Sequence, residues 1–326
     1  MFVRSNHPEY CLPRSVAFTA DMLFVLATVV TPMLPAQQPT HHTTHPAGAY
    51  VTVSGHRLWY ESEGRGEPLL LLPGGPGAGH DYFHPFFSAL STSARVIYLD
   101  PFGTGRSDRA KNSGDYTLAG EVDDIEAVRN ALHLGRINLL GHSYGGIVAQ
   151  TYALKYPQAI KRLILSNTLV SAAAWQTTND HANAETKLFF PDRGPPDPTQ
   201  VMAHLFFYDR SNIAKLAPDD TSYNAKVMTA IGGEDMDNTI GGELAQVDFH
   251  GKLQSLPFPI LILAGRADGV VMPRLARELQ RAAPQAQFVM LEHSGHFPFI
   301  EEQAKVMQTI AAFVHRPIGA AAGGGP

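Results

Sequence analysis

A serine, an aspartate and a histidine occur in this chain in an order and in settings suited to nucleophilic catalysis. The segment Gly141-His-Ser-Tyr-Gly-Gly146 places Ser143 in a G-x-S-x-G pattern, after an apolar run and before a helix-length segment. Glycines permit a turn from strand to helix that is too tight for side chains, and this turn exposes the serine oxygen. The pattern predicts that Ser143 is a nucleophile, and a purely structural turn is the alternative.

A serine hydroxyl is a weak nucleophile and needs a base that is oriented by an acid. Asp268 and His296 each follow a later apolar run, so the chain order is serine, acid, histidine. We expect His296 to accept the proton of Ser143 and Asp268 to orient His296. The alternative role for Asp268 is a helix N-cap before Pro273.

Three other residues are alternative candidates for these roles. His293 follows the same run as His296, but the turn Ser294-Gly295 better frees His296 to reach inward. His142 precedes the nucleophile and is expected to pack beneath the turn. Asp100 ends an earlier run and begins a glycine-rich turn, so its predicted role is structural.

Acyl transfer also requires hydrogen-bond donors for the oxyanion that forms on the attacked carbonyl. One predicted donor is the backbone N–H of Tyr144, the residue after the nucleophile. The second is expected in Pro73-Gly-Gly-Pro-Gly77, where Gly75 has a free N–H and no side chain to block a substrate. An ordinary Gly-Pro turn is the alternative for this segment.

Short apolar runs bounded by Gly and Pro must position these residues, and such runs indicate strands buried on both faces of a parallel sheet. The alternation of these runs with helix-length segments predicts an α/β sheet with helices on both faces. The predicted strands are 50–53 and 57–61, which form a hairpin, and then 69–72, 96–99, 137–140, 163–165, 260–263 and 288–291. The predicted helices are 117–134, 143–156 and 273–283.

The alternation breaks between residues 168 and 256, where strand signals are weak and helix-like pieces flank a proline-rich loop. The simplest interpretation is a helical cap over 168–256, inserted into an α/β core made of 49–167 and 257–316. Such a cap would lie over the C-terminal edge of the sheet, where active sites of α/β proteins are found. The low-complexity tail, 317–326, is expected to be disordered.

The N-terminus differs from the rest of the chain. Residues 1–36 combine a basic opening stretch, a short apolar run and a small residue at a cleavage point, which predicts a secretory signal peptide. A periplasmic or secreted location is therefore expected, with the cytoplasm as the alternative, and the run is too short for stable membrane insertion. The segment 37–48 is rich in Pro, Thr and His, and this composition predicts a solvated linker. His41, His42 and His45 suggest metal binding within it, but no further ligands flank them.

The composition excludes several classes of protein. Of the 326 residues, 44% are apolar and 17% are charged, a balance typical of a globular chain rather than a disordered one. The mean hydropathy of −0.10 excludes a multi-span membrane protein. The net charge is −5 and there is no basic run, so no nucleic-acid partner is expected. The single cysteine, Cys11, excludes a disulfide framework and a cysteine-built metal site.

Four stretches resemble the α/β-hydrolase family, and within it the proline iminopeptidases and the tricorn-interacting aminopeptidases. They are Pro73-Gly-Gly-Pro-Gly-Ala-Gly-His-Asp-Tyr82, Asp100-Pro-Phe-Gly-Thr-Gly-Arg-Ser107, Gly141-His-Ser-Tyr-Gly-Gly146, and Gly265-Arg-Ala-Asp268 with Ser294-Gly-His296. The resemblance covers residues 49–314 and implies the α/β-hydrolase fold and its serine triad. Neither a metal nor an organic cofactor is implied.

The resemblance also implies how a substrate is held. In such aminopeptidases acids of the cap bind the free amino group, because an ammonium that leaves water needs an opposing carboxylate. The cap offers Glu185, Glu234, Asp235 and Glu243. The stretch Ile231-Gly-Gly-Glu234 resembles the family pattern, which makes Glu234 the candidate, and a solvated charge on a cap helix is the alternative.

The sequence therefore predicts a serine hydrolase that forms an acyl-enzyme and acts on small peptides or amides with a free N-terminus. A carboxylesterase or lactone hydrolase with the same triad is the nearest alternative. A more remote alternative is a non-catalytic binding protein with a hydrolase fold, although such proteins are expected to have lost a member of the triad.

Overall fold

The computed structural model describes residues 45–190, 197–216 and 223–317. The predicted signal peptide lies outside these residues, as do His41, His42 and the tail after Pro317. Among the residues described, no helix is long and apolar enough to cross a membrane.

The molecule is organised around an eight-stranded sheet. The strands are β1 (Gly48–Val53), β2 (His56–Glu63), β3 (Pro68–Leu72), β4 (Arg95–Leu99), β5 (Ile137–His142), β6 (Ile160–Ser166), β7 (Ile260–Gly265) and β8 (Gln287–Leu291). Their order across the sheet is β1-β2-β4-β3-β5-β6-β7-β8. The hairpin of β1 and β2 is antiparallel, and β2 pairs antiparallel with β4. All later pairs are parallel, so the ends of β3, β5, β6, β7 and β8 meet at one edge.

The short apolar runs form strands because both of their faces are buried. Along β3, Leu70 and Leu72 pack into one hydrophobic core, and Leu69 and Leu71 pack into the core on the opposite face. This alternation follows from the two-residue period of a strand. The runs therefore predict strands correctly, and the mostly parallel α/β sheet is confirmed.

Helices cover both faces of the sheet. In chain order the α-helices of the described residues are α1 (Leu118–Ala131), α2 (Tyr144–Lys155), α3 (Ala172–Phe189), α4 (Pro198–Phe206), α5 (Ala225–Gly232), α6 (Pro273–Ala282), α7 (Pro298–Glu301) and α8 (Gln303–His315). α1, α2 and α6 contribute to one core, whereas α7 and α8 contribute to the other. The sequence predicted α1, α2 and α6 but not α8, although the apolar residues of α8 recur at helical spacing.

The segment from 168 to 256 carries α3, α4 and α5. The only β-structure among its described residues is an isolated bridge between Ser171 and Asp248. Backbone hydrogen bonds join this segment to three loops at the edge of the sheet. Phe206 O accepts from His296 N at 2.7 Å, Leu205 O accepts from Gly269 N at 2.9 Å, and Asn224 N donates to Gly77 O at 2.8 Å. The segment therefore packs directly against the loops that follow β3, β7 and β8.

Candidate active site

Ser143 lies on the turn between β5 and α2, in a backbone conformation with φ 54° and ψ −123°. A positive φ is costly for a residue with a side chain and persists only where the surroundings enforce it. Here the surroundings are tight: a Cβ on Gly141 would lie 2.2 Å from Gly145 O, and one on Gly145 would lie 2.3 Å from Leu72 O. The G-x-S-x-G pattern thus reflects a steric requirement, and it leaves Ser143 partly exposed.

Asp268 and His296 meet at the same edge of the sheet, on the loops after β7 and β8. His296 Nδ1 lies 2.9 Å from Asp268 Oδ2, and both residues are only 2% exposed. Asp268 Oδ2 also accepts from Asn167 Nδ2 at 2.8 Å, and Oδ1 accepts from Val270 N and Val271 N at 2.8 and 2.7 Å. Because Asp268 can only accept as a carboxylate, Nδ1 of His296 carries the proton and Nε2 is free to accept one.

The structure separates these residues from their rivals. His293 is exposed, and its backbone N–H donates to Glu302 at 2.9 Å, so it lies at the surface and not beside Asp268. α6 begins at Pro273 with Met272 as its N-cap, so Asp268 does not cap that helix.

Asp100 is buried and forms hydrogen bonds within its own region of the fold, as expected for a structural residue. Its side chain accepts from Arg106 N at 2.8 Å and lies 2.7 Å from Nδ1 of His80. It is 1% exposed.

The loop after β3 approaches the nucleophile closely. A Cβ on Gly74 would lie 3.1 Å from Ser143 Cβ. The N–H of Gly74 is already used, because it donates to Tyr82 Oη at 2.7 Å. Gly75 is exposed, has φ +117°, and its N–H makes no hydrogen bond with another described residue. Tyr144 is the first residue of α2, where a helix leaves its N–H groups unpaired. The N–H groups of Gly75 and Tyr144 are therefore both available to an oxyanion.

Tyr82 and His142 connect the loops of the site, and the sequence did not single out Tyr82. Tyr82 Oη lies 2.9 Å from His142 Nδ1, and His142 Nε2 lies 2.9 Å from the backbone oxygen of His296. Burial raises the pKa of Tyr82, so its phenol keeps its proton and donates to His142. Burial holds the pKa of His142 well below its usual range, so the ring is neutral. The network runs from Gly74 N–H through both rings to the His296 carbonyl, and it holds the buried ring of His142 between the loops after β3 and β8.

Two further side chains next to the site were missed by sequence reasoning. Asn167 follows β6 and binds Asp268, but a single asparagine after a strand is no motif. Glu121 accepts from the hydroxyl of Tyr144 at 2.7 Å. Burial raises the pKa of Glu121 to about 7, and the hydrogen bond from Tyr144 offsets part of this rise. Only the position of Glu121 in the first turn of a predicted helix could have drawn attention to it.

The four acids predicted in the cap region occupy different settings. Glu234 is exposed on the turn after α5 and makes no hydrogen bond or ion pair with another described residue. Glu185 lies 3.4 Å from a histidine ring, Asp235 accepts from an asparagine at 2.8 Å, and Glu243 accepts from the first N–H of α1 at 2.6 Å. The structure brings none of the four into contact with Ser143 or His296.

Among the residues described, one group of side chains could hold a metal ion. It consists of His45, Glu61, His80 and His84, and it shares no member with the serine site. His45 belongs to the segment that predicted a solvated linker, yet its ring lies against Glu61 and only 30% of its side-chain surface is exposed.

The family of the chain follows from comparison with known proteins. A model of the alpha/beta hydrolase fold matches residues 67–303. The chain belongs to the α/β-hydrolase family, and the resemblance carried by its four motif stretches is confirmed.

Curated sequences similar to this chain include proline iminopeptidases. The proline iminopeptidase of Saccharolobus solfataricus is 30% identical over 287 residues, which cover 81% of this chain and 91% of the relative. That of Lactobacillus delbrueckii subsp. lactis is 32% identical over 266 residues, which cover 75% and 88% of the two chains.

Solved structures show the same fold. A proline iminopeptidase from Mycobacterium smegmatis has a TM-score of 0.66 at 21% identity and covers 82% of this chain and 98% of its own. A thermophilic esterase from Thermogutta terrifontis has a TM-score of 0.63 at 25% identity, with the same two coverages.

Proposed function

We propose that this protein is a serine hydrolase that forms an acyl-enzyme and releases N-terminal residues from small peptides or amides. The observation that carries the proposal is the buried, hydrogen-bonded pair of Asp268 and His296 at the sheet edge where Ser143 sits on its strained turn. Sequence identity of about 30% to proline iminopeptidases over most of the chain supports the aminopeptidase assignment.

The proposed reaction uses five groups of this chain. Ser143 Oγ attacks the substrate carbonyl carbon while His296 Nε2 accepts the serine proton, and Asp268 stabilises the charged imidazole. The N–H groups of Gly75 and Tyr144 bind the oxyanion. When the tetrahedral intermediate collapses, His296 gives its proton to the leaving amine. A water then attacks the acyl-enzyme with His296 again as base, and Ser143 recovers its proton.

Recognition of the free amine is the finer part of the proposal, and Glu234 is its candidate. Glu234 is exposed, so an ion pair with a substrate ammonium would be screened by solvent and would contribute about 0–1 kcal/mol. We therefore expect Glu234→Gln to lower kcat/KM on a prolyl anilide by no more than about fivefold. The variant Asp235→Asn removes a charge from the neighbouring exposed acid and is the matched control.

The decisive comparison is between prolyl p-nitroanilide and its N-acetylated form, with p-nitrophenyl acetate as a substrate that has no amine. Acetylation removes every hydrogen bond that the charged amine donates, and not only its exposed contact with Glu234. One hydrogen bond from a charged group contributes about 1.5–3 kcal/mol, so acetylation should lower kcat/KM by roughly 10–150-fold in an aminopeptidase. Equal kcat/KM values on the free and acetylated anilides would refute the aminopeptidase assignment.

Carboxylesterase is the second candidate, favoured by the likeness to the esterase from Thermogutta terrifontis. An esterase would hydrolyse p-nitrophenyl acetate well and would be indifferent to acetylation of the anilide. Because ester hydrolysis uses the same nucleophile, that result would leave the proposed role of Ser143 in place.

A further inference from the structure

Three histidines and a glutamate converge at a point away from the serine site. His45 precedes β1, Glu61 lies in β2, and His80 and His84 lie on the loop after β3. Glu61 Oε2 lies 3.2 Å from His45 Nδ1, 3.5 Å from His80 Nε2 and 3.3 Å from His84 Nε2. One ligand atom from each of the four residues lies within 4.8 Å of those of the other three.

The distances match the spacing of ligands around a tetrahedral zinc ion. Bonds from Zn²⁺ to histidine nitrogen and carboxylate oxygen are about 2.0–2.1 Å, so neighbouring ligand atoms in a tetrahedron are about 3.3–3.4 Å apart. The three separations from Glu61 Oε2, 3.2 to 3.5 Å, fall at this value. The remaining ligand pairs are within 4.8 Å, so any that exceed this spacing would close up by an inward movement of the rings.

Two of the ring nitrogens are buried without a hydrogen-bond partner. Glu61 and His80 are 0% exposed and His84 is 4% exposed. His80 Nε2 and His84 Nε2 make no hydrogen bond with any described residue, although both approach the same oxygen of Glu61. Buried polar atoms without partners are rare and costly, and an unseen ion is one of the accepted reasons for them.

A second layer of contacts orients the ligands. His80 Nδ1 lies 2.7 Å from Asp100 Oδ1, an arrangement that leaves Nε2 as the coordinating atom, as in carboxylate–histidine–zinc triads. Glu61 Oε1 accepts from Arg106 Nη1 at 3.0 Å and from Trp59 Nε1 at 3.3 Å, so only its Oε2 faces the three rings.

We propose that His45, Glu61, His80 and His84 bind one Zn²⁺ ion. Imidazole and carboxylate ligands in a tetrahedral set suit zinc, whereas Ca²⁺ and Mg²⁺ take six or more oxygen ligands, including waters. Four protein ligands leave no open coordination position, so the ion is structural and not catalytic. It fastens the segment before β1 to the loop after β3.

A proton on His80 is the competitor of the ion. Burial lowers the pKa of His80, but the hydrogen bond to Asp100 and the nearby Glu61 carboxylate outweigh this effect and raise the pKa to about 10. Zinc binding therefore has to release a proton, as it does at other sites built from histidines.

The test uses the full chain without an affinity tag. The protein is loaded with Zn²⁺, freed of excess metal and analysed for zinc by mass spectrometry, and its thermal unfolding is followed with and without a chelator. We expect one zinc per chain, and a Tm that rises by about 5–10 °C when free zinc is at roughly 100 times Kd. Co²⁺ in place of Zn²⁺ should give the visible absorption of tetrahedral cobalt.

His84→Ala should lose the bound zinc and the metal-dependent rise in Tm. If that variant does not fold, His45→Ala provides the second measurement, because the His45 ring lies at the edge of the cluster. The zinc affinity of His45→Ala should be about 10–100-fold lower than that of the wild type. The double variant His41→Ala/His42→Ala is the matched control and should still bind one zinc.

Two results would overturn the proposal. If the wild-type chain binds no zinc or cobalt, His80 holds a proton instead of an ion. If zinc is retained by His84→Ala and His45→Ala but lost from the double control variant, the metal belongs to the N-terminal segment and not to this cluster.

Discussion

Replacement of Tyr82 by phenylalanine tests whether one hydroxyl group holds the loops of the serine site together. This hydroxyl accepts from Gly74 N at 2.7 Å and donates to His142 Nδ1, 2.9 Å away. Phenylalanine keeps the ring and its packing against neighbouring phenylalanine rings. The variant therefore removes two hydrogen bonds and changes little else.

The structure sets the expected loss of stability. Gly74 is buried and His142 is 1% exposed, so both would lose their partner where water does not readily replace it. An unsatisfied buried donor or acceptor costs about 1–3 kcal/mol. Tyr82→Phe leaves two such groups, and local movement should relieve part of their cost. We expect the free energy of unfolding of the variant to be about 2–4 kcal/mol lower than that of the wild type.

The same substitution should reduce catalysis. The hydrogen bond from Gly74 N–H fixes the backbone immediately before Gly75, the proposed oxyanion donor. Complete removal of an oxyanion donor costs about 10²–10³ in kcat, and a displaced donor should cost less, roughly tenfold. KM should change little, because the oxyanion forms only in the transition state.

Urea unfolding and steady-state kinetics on p-nitrophenyl acetate measure the two effects. Tyr50→Phe is the matched control, because it removes the same hydroxyl from a ring that is 46% exposed on β1. If Tyr82→Phe unfolds within about 0.5 kcal/mol of the wild type and keeps its kcat, the hydroxyl does not hold these loops.

Two further outcomes are expected. Ser143→Ala and His296→Ala should each lower kcat by about 10⁴–10⁶ while circular dichroism shows an intact fold, and Asp268→Asn should lower it somewhat less. Activity lost in His293→Ala but kept in His296→Ala would show that the base is misassigned. Glu121 has a folded-state pKa of about 7, above its ordinary 4.5, so the stability contributed by its neutral form is complete below pH 4.5. That contribution, at most about 3 kcal/mol, is lost as the pH rises through 7. Glu121→Gln should therefore narrow the difference in unfolding free energy between pH 5 and pH 8 measured by urea titration, and an unchanged difference would contradict this account.

Much of the sheet could be predicted because the pattern that makes a buried strand lies within a few consecutive residues. A run such as Leu69–Leu72 must be buried on both faces, and only a strand inside a covered sheet does this. The meeting of Asp268 and His296 was also predictable, because the ends of parallel strands share one edge. The motif around Ser143 predicts the turn for a similar reason, because its glycines avoid steric clashes within a single turn.

The contacts that the sequence did not predict join residues far apart in the chain and carry no spacing pattern. Tyr82 meets His142 across 60 residues. Asn167 donates to an aspartate 101 residues later. Glu121 is one acid among several on α1, and only the folded chain places it beneath the hydroxyl of Tyr144.

The histidine cluster was hidden for the same reason. His45 follows two histidines in the predicted linker, and that segment contains no acidic residue that could complete a set of metal ligands. The ligand that completes the set, Glu61, lies on β2, where an isolated acid in an alternating strand normally faces solvent. Only the pairing of β2 with β4 brings Glu61 beneath the loop that carries His80 and His84.

The loop after β3 links the histidine cluster to the serine site. Tyr82 lies between His80 and His84, so an ion bound by both histidines would fix the backbone on each side of the tyrosine. The Tyr82 hydroxyl can hold Gly74 and His142 only if that backbone keeps its place. A structural ion at this position would therefore act on catalysis without touching the substrate, through the loop that presents the N–H of Gly75.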